Sequence, residues 1–240
     1  MIWINDGVDD SFSISISPTL EDTMKSDHLL RQDVIDELDF EPSVNADHIG
    51  VAATGGVITL SGYVSTYGEK LAAERATRRV EGVKAIAEEI EVRLPSDKKV
   101  ADQEIAQRAL DVLRWRVGIP GDRIGVKVEK GAVYLTGEVD WQFQKDEAAK
   151  AVSHLSGVYT VQNQIQIKSP IQVTNVREKI QKALQRAAEL DASRITVKTE
   201  GGKVILEGKV RGWFERDLAE QAAWSAPGVR EVLDHIQIGP

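Results

Sequence analysis

Three stretches of this chain are versions of one another: GGVITLSGYV at 55–64, KGAVYLTGEV at 130–139 and GGKVILEGKV at 201–210. Their inner glycines, Gly62, Gly137 and Gly208, stand 75 and then 71 residues apart. The same offsets carry Leu30 onto Ile105 and Val176, Leu38 onto Leu113 and Leu184, Ile49 onto Ile124 and Ile195, and Ile90 onto Ile165 and Ile236. A Gly-Val pair opens 20 residues after each inner glycine, at Gly82, Gly157 and Gly228. A fixed period of this kind marks copies of one supersecondary unit. Length alone suggests one or two domains for 240 residues. The repeat predicts three, at 25–94, 100–168 and 173–239.

The hydrophobic pattern within a copy gives its element order. Leu30, Val34 and Leu38 recur every four residues, as do Ile105, Ala109 and Leu113, and Val176, Ile180 and Leu184. That is one apolar stripe on a helix. A short alternating strand follows at Ile49-Val51, Ile124-Val126-Val128 and Ile195-Val197, then a turn at Gly56, Gly131 and Gly202. The second strand holds the inner glycine. An alanine-bearing helix comes next, near 69–80, 144–155 and 215–226, and a strand through Ile86-Ile90, Val161-Ile165 and Val232-Ile236 closes the unit. The expected class is α+β: three tandem α-β-β-α-β modules, each a small three-stranded mixed sheet packed on two helices.

Glycine inside a strand weakens it, so its presence there needs a reason. Period two puts Gly62 on the face of Ile58, Leu60 and Val64. The second helix offers alanine at Ala73 and Ala76, Ala148 and Ala151, Ala219 and Ala222. The expectation is a packing glycine that lets this helix lie close on the sheet. A glycine reserved for the approach of a ligand is the alternative. Gly82, Gly157 and Gly228 are expected to be structural as well.

Net charge is −8 and unevenly spread: −5 over residues 1–24, −5 over 25–94, +2 over 98–168 and +1 over 169–240. An acidic total argues against a general nucleic-acid binder. There is no cysteine, which excludes disulfides and thiolate chemistry. No apolar run approaches the length of a membrane span. Residues 1–24 match nothing in the repeats and lack the basic start and apolar stretch of a secretory signal. They are expected to form a disordered tail, with a short added strand at Phe12–Ile16 as the alternative and Met24 as a second candidate start. On that basis the expected location is cytoplasmic. The joints LPSDKK (94–99) and KSPIQ (168–172) are short and carry proline, so successive modules should touch.

Little in the chain suggests catalysis. His28, His48, His154 and His235 have no metal-ligand spacing and do not recur at aligned positions. No nucleophile elbow or phosphate loop is present. GIPG, at 118–121, is expected to be a turn. No cofactor, metal or catalytic residue is expected. Glu88, Asn163 and Asp234 put polar atoms on a face that should be buried, for which a β-bulge or a side-chain bond to a loop would account. The loop before the second helix is the more suggestive feature. It reads STYGEK, DWQFQK and RGWFER, and gathers Tyr67, Trp141, Phe143, Trp213 and Phe214 beside Lys70, Lys145, Arg211 and Arg216. Rings next to cations suit a membrane interface. A hydrophobic staple at the helix start, or filling between two modules, is the structural alternative and the more ordinary one.

The α-β-β-α-β order, the strand glycine in TLSG, YLTG and ILEG, and the Gly-Val opening of the last strand resemble the BON domain (bacterial osmotic-shock protein and nodulation) over residues 25–239. The resemblance implies a bacterial, non-enzymatic module that binds phospholipid or holds protein partners near membranes, and a periplasmic location as the alternative. The expected partner is a phospholipid surface or another protein, through Tyr67, Trp141, Phe143, Lys145, Arg211, Trp213, Phe214 and Arg216. A soluble scaffold that binds proteins and never touches lipid is the competing reading. Rings turned to solvent favour lipid; rings buried between modules favour the scaffold.

Overall fold

The computed structural model describes residues 26–93, 100–168, 175–187 and 191–239. The expected tail (1–24), the first joint (94–99) and most of the second lie outside the described residues. The first module runs α1 (Asp27–Phe40), β1 (Ile49–Thr54), β2 (Val57–Val64), α2 (Tyr67–Arg79) and β3 (Ala85–Val92). The second runs α3 (Asp102–Trp115), β4 (Ile124–Glu129), β5 (Ala132–Val139) and α4 (Gln142–Ser153), with its last strand in two pieces, β6 (Thr160–Asn163) and β7 (Gln166–Ile167). The third runs α5 (Val176–Arg186), β8 (Ile195–Glu200), β9 (Lys203–Val210), α6 (Trp213–Trp224) and β10 (Glu231–Ile238). The α-β-β-α-β order is present three times, and the GIPG segment leads through a turn into β4.

In each module the second strand is central, antiparallel to the first and parallel to the last. A parallel neighbour needs a crossover, and the second helix supplies it. The parallel register is the same throughout: Val57 faces Ala85, Ala132 faces Thr160, and Lys203 faces Glu231. The helical stripes close one core per module. Leu30, Val34 and Leu38 are buried with Ile58, Leu60 and Val64, and the equivalent sets are buried in the other two. Burying each such side chain contributes about 1.5–3 kcal/mol.

The unbroken register rules out a bulge at the polar triple and leaves the side-chain bond. These residues cap the free edge of the last strand. Glu88 accepts from the Ile90 N–H at 2.7 Å, and Lys70 both pairs with Glu88 at 2.6 Å and donates to the Ile90 carbonyl at 2.7 Å. Asp234 accepts from the Ile236 N–H at 2.8 Å and pairs with Arg216 at 2.6 Å. Asn163 makes a longer bond to the Ile165 N–H, 3.3 Å, and donates instead to the Lys145 carbonyl at 2.7 Å. A strand edge with its polar groups taken by side chains cannot template another strand. The strand interruption falls in the one module where the cap is an amide.

The inner glycines have a different neighbour from the expected one. Their partners across the hairpin are Ile49, Ile124 and Ile195. Just before each of these, a single 3-10 turn ends at His48, Arg123 or Arg194. A Cβ on Gly62, Gly137 or Gly208 would stand 2.0, 2.1 or 2.0 Å from that residue's carbonyl oxygen, and the glycines adopt φ of 108°, 125° and 146°. The close approach is therefore by the backbone of the incoming turn, not by Ala73, Ala148 or Ala219, which are buried in the cores on their own account. Gly82, Gly157 and Gly228 also take positive φ, in the turn that sends Val83, Val158 and Val229 into the core.

The two accounts of the inner glycine separate on the smallest substitution. Packing against alanines would tolerate one methyl group, whereas a carbonyl at 2.1 Å and a φ of 125° would not. Gly137→Ala is expected to destabilise the second module by about 2–3 kcal/mol. Thermal unfolding of the variant beside the parent checks this, and equal midpoints would contradict it.

Candidate interaction surface

The aromatic loops sit at the N-terminal ends of α2, α4 and α6, and one capping residue shapes all three. Glu69 accepts from the Ser65 N–H at 2.9 Å and the Asn45 N–H at 2.8 Å. Gln144 accepts from Asp140 and Trp141 at 3.0 and 3.1 Å, and its amide donates to the Gly118 carbonyl at 3.0 Å. Glu215 accepts from the Arg211 N–H at 2.8 Å. These bonds satisfy backbone donors that a helix start leaves open. They also hold the rings on the first residues of each helix.

Those helix ends meet the neighbouring modules head to tail. The start of α2, with Tyr67, Gly68 and Leu71, faces the end of α4 at Ala149, Ser153 and His154. The start of α4, with Trp141 and Phe143, faces the end of α6 at Glu220 and Trp224. The start of α6, with Phe214 and Leu218, faces the end of α2 at Arg75, Arg78 and Arg79. The three helix ends face one another around a ring, with α2 in contact with both α4 and α6 and α4 and α6 facing across a crevice. Of the three helix pairs, α4 and α6 approach one another least.

This arrangement divides the predicted site residues. Tyr67 packs on the core of the second module. A side chain on the adjacent Gly68 would put its Cβ 2.2 Å from the His154 ring, so the two helices meet closely at that point. Trp213 packs on the core of the first module, with Arg78 and Arg216 near its ring at 4.9 and 5.2 Å. Trp141 is half-buried in the joint between the second and third modules. Phe143 and Phe214, which occupy equivalent positions, stay 55% and 45% exposed. Among the bases, Arg216 is held by Asp234, and Arg211 by Glu215 at 2.6 Å. Lys145 makes no ion pair among the described residues.

Sequence reading passed over a second group of exposed apolar residues. Phe40 and Trp115 end α1 and α3 at equivalent positions and are 83% and 85% exposed, and Val117 is wholly exposed. The signal was available: the helical period places both rings off the buried stripe. The segment carrying Trp115 and Val117 lies along the first turns of α4. Arg116 pairs with Glu147 at 2.7 Å, and Gly118 bonds Gln144.

The α4–α6 joint borders an open crevice of about 530 Å³ lined by Trp141, Phe143 and Trp224 together with Asp146, Asp217 and Glu220. Partial desolvation by the surrounding helices holds the carboxyls of Asp146 and Asp217 above the usual range, against the opposing pull of the Gln142 amide and Lys145 on the first and of Arg78 and Arg216 on the second, while both side chains keep part of their surface in solvent. Among the described residues no three His, Asp or Glu side chains are grouped to hold a metal ion, and no helix is long and apolar enough to cross a membrane.

A family model described as the BON domain matches residues 26–93, 101–169 and 172–240. The chain belongs to the BON domain family. Its three matches fall on the three modules of the fold. The osmotically-inducible protein Y of Escherichia coli (strain K12) is 27% identical over 130 residues, an alignment covering 52% of this chain and 65% of that protein. The match therefore spans just under two thirds of the relative's length. Two solved structures of CdsD, a structural protein of the type III secretion system of Chlamydia trachomatis, align at 15% identity with TM-scores of 0.25 and 0.24. They cover 87% and 88% of this chain and 91% and 98% of their own. Scores that low do not equate the overall arrangements.

The raised carboxyls of this BON protein give a stability prediction with a definite sign. A folded-state pKa above the unfolded value means that the folded chain binds the proton more tightly. Stability then falls as pH rises from the ordinary carboxylate value through the raised one, and the full cost is present at neutral pH. The double variant Asp146→Asn, Asp217→Asn should melt higher than the parent at pH 7, and the gap should narrow as pH falls through that window. Thermal scans across pH check it; a parent more stable than the variant at neutral pH would contradict it.

Proposed function

We propose that this BON protein is a non-enzymatic binding protein that attaches weakly and reversibly to anionic phospholipid surfaces. The apolar contact comes from Trp115, Val117 and Phe143 at one end of the second module. The carrying observation is their exposure, 85% for Trp115 and 55% for Phe143, on a segment pinned to α4. Rings at such a rim enter the headgroup region while nearby cations meet phosphate. Arg114 and Lys145 have no ion pair among the described residues and are the available cations. Each contributes about 1 kcal/mol at an anionic surface, falling off within a Debye length. The net charge of −8 opposes approach, so the second module leads. Likeness to an osmotically inducible protein supports a role under osmotic stress.

The scaffold reading is favoured by a different observation: Tyr67 and Trp213 pack half-buried in the joints between modules, each against a neighbour's core. On that reading the same exposed rim docks a protein.

Co-sedimentation with liposomes separates the two. The parent should pellet with anionic vesicles at low salt and be released as salt rises. A folded variant with Trp115→Ser and Phe143→Ser should lose most of that binding, whereas Tyr67 and Trp213 variants should act through stability alone. Absence of parent binding at low salt, or equal binding by the rim variant, would favour the scaffold.

A further inference from the structure

We propose that the crevice between the second and third modules binds a small organic cation bearing a quaternary ammonium group, held among Trp141, Phe143 and Trp224 and balanced by Asp146, Asp217 and Glu220. This goes beyond the lipid reading and does not depend on it. The crevice has the volume of a small-molecule site, about 530 Å³, and no basic side chain lines it. The other two joints differ in chemistry. One holds a smaller crevice, about 190 Å³, where Tyr67 and Leu71 meet Asp146 with Arg75 and Lys150, and the other is edged by Arg75, Arg78 and Arg79 beside Asp217. The combination of three rings and three carboxylates therefore belongs to one joint alone among the described residues.

The geometry prepares the carboxylates for an outside cation. The Gln142 amide donates to one oxygen of Asp146 at 2.9 Å, and the Trp224 indole donates to one oxygen of Glu220 at 3.2 Å. Both bonds orient the acid without neutralising it. Asp217 makes no hydrogen bond or ion pair among the described residues. Two of the nearby cations are engaged elsewhere, Arg216 with Asp234 and Arg78 with Glu74, and Arg75 lies in the neighbouring joints, beyond this lining. Lys145, beside Asp146, is not part of the lining. The neighbouring helices partly desolvate Asp146 and Asp217, and both side chains keep solvent access, so a cation arriving from water can reach them. The rings select the kind of cation. A methylated ammonium is weakly hydrated and apolar at its surface, so aromatic faces attract it where a strongly hydrated ion keeps its water.

The test is a titration of the whole protein, isotopically labelled at tryptophan, followed by nuclear magnetic resonance of the indole N–H groups. Tetramethylammonium chloride should produce saturable shifts at Trp141 and Trp224 and leave Trp115 unmoved. Sodium chloride and ammonium chloride at equal concentration should not reproduce them. The Asp146→Asn, Asp217→Asn variant, which keeps the rings, should bind about tenfold more weakly. A control with Asp36→Asn and Asp39→Asn, on α1, should bind as the parent does. A parallel titration with choline and with phosphatidylcholine vesicles separates the sources of the group: shifts with both assign a lipid headgroup, shifts with the free ion alone a soluble ligand. The proposal is overturned if tetramethylammonium causes no shift, if ammonium or sodium shifts the same indoles equally, or if the double variant binds undiminished. Loss of anionic-vesicle binding bears on the lipid reading and leaves this titration intact.

Discussion

The first turn of each second helix, docked against the end of the next module's second helix, is the contact on which the surface of this protein depends. It decides which rings are structural and which reach solvent. Tyr67 and Trp213 carry about as much apolar surface as Phe143 and Phe214, yet the joints take the first pair and leave the second exposed. Because the contacts run head to tail in a ring, each module offers its helix start to one neighbour and its helix end to the other. Three small domains that would each bury a modest core alone gain further burial from one another.

Within a module, rigidity comes from backbone groups meeting backbone groups at close range. The carbonyl that ends each 3-10 turn lies where the inner glycine would carry a side chain, which locks the first strand onto the second. Asp27 and Asp102, at the starts of α1 and α3, reach the hairpin turns and accept two N–H groups each, at 2.9 and 3.3 Å and at 2.7 and 2.9 Å. The edge caps then finish the sheet. Lys70, Lys145 and Arg216 stand at equivalent positions, and the acids at Glu88 and Asp234 hold two of them. Asn163 cannot hold the third, so Lys145 keeps its charge available. A change of one residue type in the cap thus leaves the second module a cation with no ion pair among the described residues, on the first turn of α4.

The modular fold was legible because its signals are local. Leu30, Val34 and Leu38 report a helix face through their spacing alone, and the Gly-Val pair reports a turn wherever it recurs. The inner glycine was legible as a close approach but not by its partner. Strict alternation aims position 62 at the helix, whereas a φ of 108° turns it toward the His48 carbonyl, and that conformation leaves no mark in a hydrophobic pattern. The joints were hidden for another reason. Whether Trp213 faces water or the first module depends on how three domains close in space, which no spacing within one copy encodes. The rim of Trp115 and Val117 was visible as apolar residues off a stripe. Trp224 gave no cue, because its role arises only where α6 meets α4.

Closure of the three modules into a ring is the central claim, and small-angle scattering of the whole chain tests it most directly. Three domains of this size in a closed triangle have a radius of gyration of about 20 Å, against about 26 Å for the same domains in an open row. The account predicts a value near the lower figure that rises when Trp213 is replaced by serine. A parent value near the upper figure, unchanged by that substitution, would contradict the ring and return every loop aromatic to the solvent-facing side.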